Sequence, residues 1–136
     1  MANETGHAVG NWKELSLSYE DASARLPEAL QKEGFGVITQ IDMQATLKAK
    51  LGVDFRRYTI FGACNPGLAH TALLKDPRVG VLLPCNVVLY EKEGGKVIVG
   101  AVDPMQTLGV GAGPELAKVA DDVAQRLERV LAALAG

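Results

Sequence analysis

The sequence predicts an α/β protein with two layers, helices packed on a single sheet. Three observations carry this. Short β-branched or alternating runs recur along the chain, helical segments with their own start and stop residues separate them, and a long amphipathic stripe closes the C-terminus. At 136 residues the chain matches one domain, large enough to bury a core without disulfide or metal staples.

The elements follow in order. Residues 1–12 read as a loose tail, leaving 13–136 as the domain. Leu15 to Tyr19 alternates and reads as a half-buried strand. Ser18, with Asp21 three residues on, has the form of a helix N-cap. Ala22, Leu26, Ala29 and Leu30 keep helical spacing up to Gly34, a suitable residue just past a helix end. Pro27 inside this helix removes one hydrogen bond. Phe35–Ile41 is rich in β-branched residues and reads as a strand. Asp42 caps a short helix through Leu51 that Gly52 stops.

Tyr58–Cys64 is the next strand, and Asn65-Pro66 opens a helix, with Asn as N-cap and Pro in the first turn. That helix ends near Lys75, before Asp76-Pro77. Val79–Glu91 reads as one long strand, apolar on both faces and therefore covered on both. Pro84 within it requires a bulge or an edge position. Glu93-Gly94-Gly95 is a hairpin turn and Lys96–Asp103 the returning strand. Met105–Gly113 is a glycine-rich connector. Leu116, Val119, Ala120, Val123, Leu127, Val130, Leu131 and Leu134 form one stripe on the final helix. The order is β-α-β-(α)-β-α-β-β-α.

Composition excludes several classes. Net charge is −2 and the cations are dispersed, which is not the basic stripe of a nucleic-acid surface. No run of about 18 apolar residues is present, so no membrane span is expected. The polar start lacks a secretory signal, and a cytoplasmic location is the expectation. There the two cysteines are expected as free thiols, and a disulfide would require the fold to bring them close.

Those cysteines stand in a repeated pair, Cys64-Asn65 and Cys85-Asn86, each beside a proline. Cys64 precedes a helix N-terminus, whose positive end favours a thiolate. It reads either as a reactive thiol or soft-metal ligand, or as a small buried hydrophobe. Cys85, inside an apolar run, reads as the more inert. Asn65 has a sufficient role as helix cap. Asn86 needs partners for its amide, in the backbone or in a ligand. If the hairpin is symmetric about Gly94, Cys85 lies opposite Asp103. His70 is the histidine within reach of a thiol or metal. Parallel strands would bring the two cysteines to one height, whereas antiparallel strands remove that argument. The glycine-rich Gly109–Gly113 lacks the spacing of a phosphate loop.

The run LGVDFRRYTIFGACNPGLAHTALLKDPRVGVLLPCNVVLYE, followed by GAVDP, resembles the family catalogued as domain of unknown function 302. The resemblance covers about residues 15–134. It implies a fold like that of the TATA-binding protein, α+β with a curved, mostly antiparallel sheet and helices on one face. It also implies a homodimer, and it implies no activity.

The functional expectation is a small binding or sensing module. Its tentative ligand-binding residues are Cys64, Asn65, His70, Cys85, Asn86 and Asp103. Cys64, Cys85 and His70 are the candidate ligands for a soft metal, and noncovalent haem is the other candidate cofactor. The alternatives are an association scaffold without ligand and a thiol-dependent redox enzyme using Cys64.

Overall fold

The computed structural model describes residues 10–110 and 113–136. Five strands form one antiparallel sheet in the order β1-β5-β4-β3-β2. They are β1 (Gly10–Leu15), β2 (Gly36–Asp42), β3 (Tyr58–Cys64), β4 (Cys85–Glu91) and β5 (Val97–Val102). The helices are α1 (Tyr19–Lys32), α2 (Met43–Leu51), α3 (Pro66–Lys75) and α4 (Gly113–Ala135). Helices α1 and α4 pack on each other and on one face of the sheet, and α3 packs on α4. The α+β sandwich is thus the one expected.

Local chemistry sets most boundaries. The Ser18 hydroxyl accepts from the Asp21 N–H and starts α1. At its other end Gly34 N–H bonds to Gln31 C=O and Phe35 N–H to Leu30 C=O. This pairing requires a left-handed residue at Gly34, whose φ is 85°. Asp42 accepts from Ala45 N–H to start α2, and Gly52, at φ 69°, ends it. The eight stripe residues of α4 are all buried, facing the sheet and α1.

Two expectations need correction. The first strand is Gly10–Leu15 rather than Leu15–Tyr19, so the expected tail contributes residues 10–12 to the sheet. Residues 1–9 of that tail lie outside the described residues. Trp12 sits across from Gly100 in β5, and a Cβ there would fall 2.2 Å from the indole Cε3. The bare glycine makes room for the ring, a pairing that alternation within one strand does not reveal.

The second correction concerns the long apolar strand. Pro77–Leu82 is a 3-10 helix, capped by the Asp76 carboxylate on Arg78 N–H, and β4 begins only at Cys85. Proline at the first helical position and the missing N–H of Pro84 keep this stretch out of the ladder. Val81, expected on a buried face, is 88% exposed. In addition, β2 carries an extra residue: Val37 pairs with Ala63 and Thr39 with Gly62, leaving Ile38 unpaired.

The core face of the sheet presents Phe61 and Ala63 of β3, Cys85, Val87 and Leu89 of β4, and Val97, Val99 and Ala101 of β5. Tyr19 ties α1 to this layer through its hydroxyl, 2.6 Å from Thr59 Oγ1 and 3.2 Å from Leu89 O. The opposite face carries a row of rings. Tyr58 stacks on Tyr90 at 5.3 Å, Trp12 meets Tyr90 edge-on at 6.4 Å, and Phe55 lies 6.2 Å from Tyr58.

Candidate functional site

The two Cys-Asn pairs meet because β3 and β4 are antiparallel neighbours. The end of one strand lies beside the start of the next, and Ala63 is directly opposite Cys85. Cys64 therefore stands one position along from Cys85 across the ladder. Both thiols are free, Cys64 half-buried and Cys85 buried. The levelling expected of parallel strands does not apply, and antiparallel pairing makes the two backbone positions neighbours instead.

Both cysteines line a cavity of about 330 Å³. Its floor is the core face of the sheet at Ala63 and Cys85. Leu68, Ala69, Ala72 and Leu73 of α3 form one wall, and Val119 and Val123 of α4 another. Leu108 closes the cavity from the expected glycine-rich connector, and Ile38, 60% exposed, stands at its rim. Phe35, placed by the end of α1, completes the lining beside Leu83 and Pro84. The space exists partly because α3 turns two alanines, Ala69 and Ala72, towards the sheet.

Among the described residues the lining contains no carboxylate, imidazole or ammonium group. Its polar lining residues are Asn65 and the two cysteines, and Asn65 is engaged. Its side-chain oxygen accepts from Leu68 N–H at 3.2 Å, capping α3. Its amide nitrogen lies 2.8 Å from where a Cβ on Gly34 would stand, so the end of α1 and the start of α3 fit closely. Asn65→Ala is expected to cost about 1 kcal/mol of stability, read from the denaturant midpoint at unchanged slope.

Burial pushes the Cys85 thiol up to about 11, with the neighbouring Cys64 adding to the rise. Near neutral pH Cys85 is therefore a protonated thiol. By strand alternation the Cys85 side chain shares the core face with Ala63, while Cys64 falls on the face of Tyr58 and Gly62.

The other expected site residues are not part of it. His70 is exposed and outside the lining, because α3 turns residues 69, 72 and 73 inward and leaves position 70 on the solvent side. Asn86 is exposed, paired across from Gly62. The hairpin register does have the expected symmetry, with Val87 opposite Ala101 and Glu91 opposite Val97. Asp103, however, spends its carboxylate on Met105 N–H, where Pro104–Gln106 makes a short 3-10 turn. The metal set of Cys64, Cys85 and His70 is not assembled. Among the described residues no three His, Cys, Asp or Glu side chains are grouped to hold an ion.

The wall residues Phe35, Ile38, Leu68, Ala72, Leu108 and Val123 were not among the expected site residues. The one signal for them is the pair of small residues on the inner face of α3. No sequence pattern reports a void between four elements.

The fold and site define an antiparallel α+β sandwich with an apolar cavity between sheet and helices. Residues 12–134 match the family model described as domain of unknown function DUF302, and the chain belongs to that family. It is similar to the crystal structure of an uncharacterized conserved DUF302 protein from Bacillus stearothermophilus. The TM-score is 0.86 and the identity 31%, covering 94% of this chain and 99% of that one. It is also 30% identical over 87 residues to an uncharacterized protein of Aquifex aeolicus (strain VF5), over 64% of this chain. The matched region spans 54% of the length of that curated relative. Among the described residues no helix is long and apolar enough to cross a membrane.

Proposed function

We propose that this domain is a binding module for a small, uncharged, apolar ligand held between α3, α4 and the junction of β3 with β4. The observation that carries it is the cavity itself, about 330 Å³ and lined almost wholly by apolar residues. A cavity of this size is at the lower end of the range for small-molecule sites. Apolar walls penalise a charged guest, which would lose hydration without gaining a partner. A thiol enzyme is less well supported, because among the described residues no base lines the cavity.

The test is titration with an environment-sensitive apolar dye such as N-phenyl-1-naphthylamine, followed by fluorescence. Ala69→Phe puts a ring into the cavity and is expected to abolish the enhancement while the far-ultraviolet spectrum stays unchanged. Equal enhancement in the two proteins would overturn the reading.

A second reading, association of two copies, is favoured by one observation. Trp12, Tyr58 and Tyr90 form a ring row on the sheet face opposite the helices. We propose that this face joins a homodimer, and sedimentation of a monomer at micromolar concentration would dispose of it. Two neighbouring thiols without a bridge fit a reducing compartment such as the cytoplasm.

A further inference from the structure

We propose that the ligand of the cavity is a neutral carbonyl compound, a ketone or ester with small apolar substituents, whose oxygen accepts a hydrogen bond from the Asn65 side-chain amide. The inference rests on the reading of the cavity as a ligand site and names the class of ligand.

Three observations select a guest that carries an acceptor and no donor. First, the Asn65 amide is used at one end only. Its oxygen accepts from Leu68 N–H at 3.2 Å, and that bond fixes which end is oxygen, since an N–H needs an acceptor. Its nitrogen makes no hydrogen bond among the described residues. That nitrogen lies where α1 ends and α3 begins, at the wall between Phe35 and Leu68, two lining residues. A Cβ at Gly34 would stand 2.8 Å from it, and the bare glycine leaves it uncovered. Asn65 is half-buried, so a guest oxygen placed there takes over a donor that is otherwise left to water.

Second, the polar group at the floor is also a donor. Cys85 is 7% exposed and shares the core face with Ala63. Burial keeps its thiol protonated near neutral pH, and a protonated thiol is a weak donor. Third, the lining side chains offer nothing of the opposite polarity. Among the described residues no lining side chain except Asn65 carries an oxygen, and that oxygen is taken by the cap. An alcohol or amide guest would bury its own O–H or N–H against aliphatic groups, and a carboxylate would find no cation. A hydrocarbon fits the walls but leaves the Asn65 nitrogen unused. A ketone or ester satisfies both.

The experiment displaces bound N-phenyl-1-naphthylamine with acetophenone and with α-methylstyrene, which has the same shape with CH₂ in place of the carbonyl oxygen. It is run on the parent protein and on Asn65→Asp. Aspartate keeps an oxygen for Leu68 N–H and removes the donor. The affinity of acetophenone relative to α-methylstyrene is expected to fall about fivefold in the variant, the effect of losing one neutral hydrogen bond. The carbonyl stretching band of acetophenone bound to the parent, read by infrared difference spectroscopy, is expected at lower wavenumber than in hexane. That second reading requires no variant to fold. A hexane-like band, or an unchanged affinity ratio in folded Asn65→Asp, overturns the proposal. Dye binding that acetophenone cannot displace also overturns it and leaves the apolar-ligand reading standing. A folded parent that binds neither dye nor acetophenone removes both.

Discussion

Leu89→Ala is expected to lower the unfolding free energy by about 2–5 kcal/mol. Leu89 is 0% exposed and lies on β4, the middle strand of the five. Its side chain faces the helix layer, and α1 packs over this strand. Removing it costs the transfer free energy of the lost methyl and methylene groups, and a void remains. How far neighbours close that void decides where in the range the cost falls. β4 is hydrogen-bonded to β3 on one side and β5 on the other, and Tyr19 bonds to the Leu89 carbonyl. The backbone here has little freedom to collapse, so the upper half of the range is expected. Chemical denaturation checks it through a lower midpoint at unchanged slope. Val81→Ala, at an 88% exposed position, should shift stability by no more than about 0.5 kcal/mol. A similar loss in both variants would contradict the placement of the core.

The second large effect is a loss of stability at alkaline pH traceable to Cys85. Its ordinary value is 9.0, and in the folded chain it is about 11, first through burial and then through Cys64. The native state therefore holds this proton more tightly than the unfolded chain. Below pH 9 both states are protonated and the contribution is fully present. Between pH 9 and 11 the unfolded chain releases the proton first, so stability falls as pH rises. Past the folded value the contribution is gone. At about 1.4 kcal/mol per pH unit the loss is about 3 kcal/mol. Burial also raises Tyr19 and Tyr58, whose phenols act in the same direction. The difference between parent and Cys85→Ala isolates the thiol. Unfolding midpoints at pH 8 to 11 should fall less steeply in the variant. Parallel curves would show that Cys85 is not held protonated by the fold.

The parts of this molecule legible in its sequence are those fixed by neighbours along the chain. Asp42 and Gly52 bracket α2, and Asn65-Pro66 opens α3, because a cap and its helix lie within four residues of each other. The α4 stripe was equally open to reading, since one periodicity runs through it. Residues 79–84 were not, because an apolar run is compatible with a strand until proline and glycine are weighed as ladder breakers. Val81 is apolar yet exposed, so hydrophobicity alone misplaced it. The first strand was displaced because Trp12 is accommodated by Gly100, almost ninety positions away in the chain.

The site divided in the same way. That the Cys-Asn pairs mark a place was readable, and Asn65 had its cap role from the outset. Whether the thiols converge depended on strand direction, which no residue near either cysteine records. His70 was chosen for its chemistry, and one step of helical rotation removes it from the cavity. The cavity is what α3, α4, the sheet and the loop before α4 leave unfilled, and an unfilled volume has no residues of its own.

The extra residue in β2 ties the rim of the cavity to the length of a strand. With Ile38 outside the ladder, Val37 keeps the core side and Thr39 the other. Deleting one residue here would restore continuous pairing and carry Ile38 to the face opposite the cavity, beside Gly62. Substitution at Ile38 changes only what the rim is made of. Among relatives, then, single-residue gaps in this strand are the changes that would open or narrow the entrance, and an alignment that smooths them away would erase the difference.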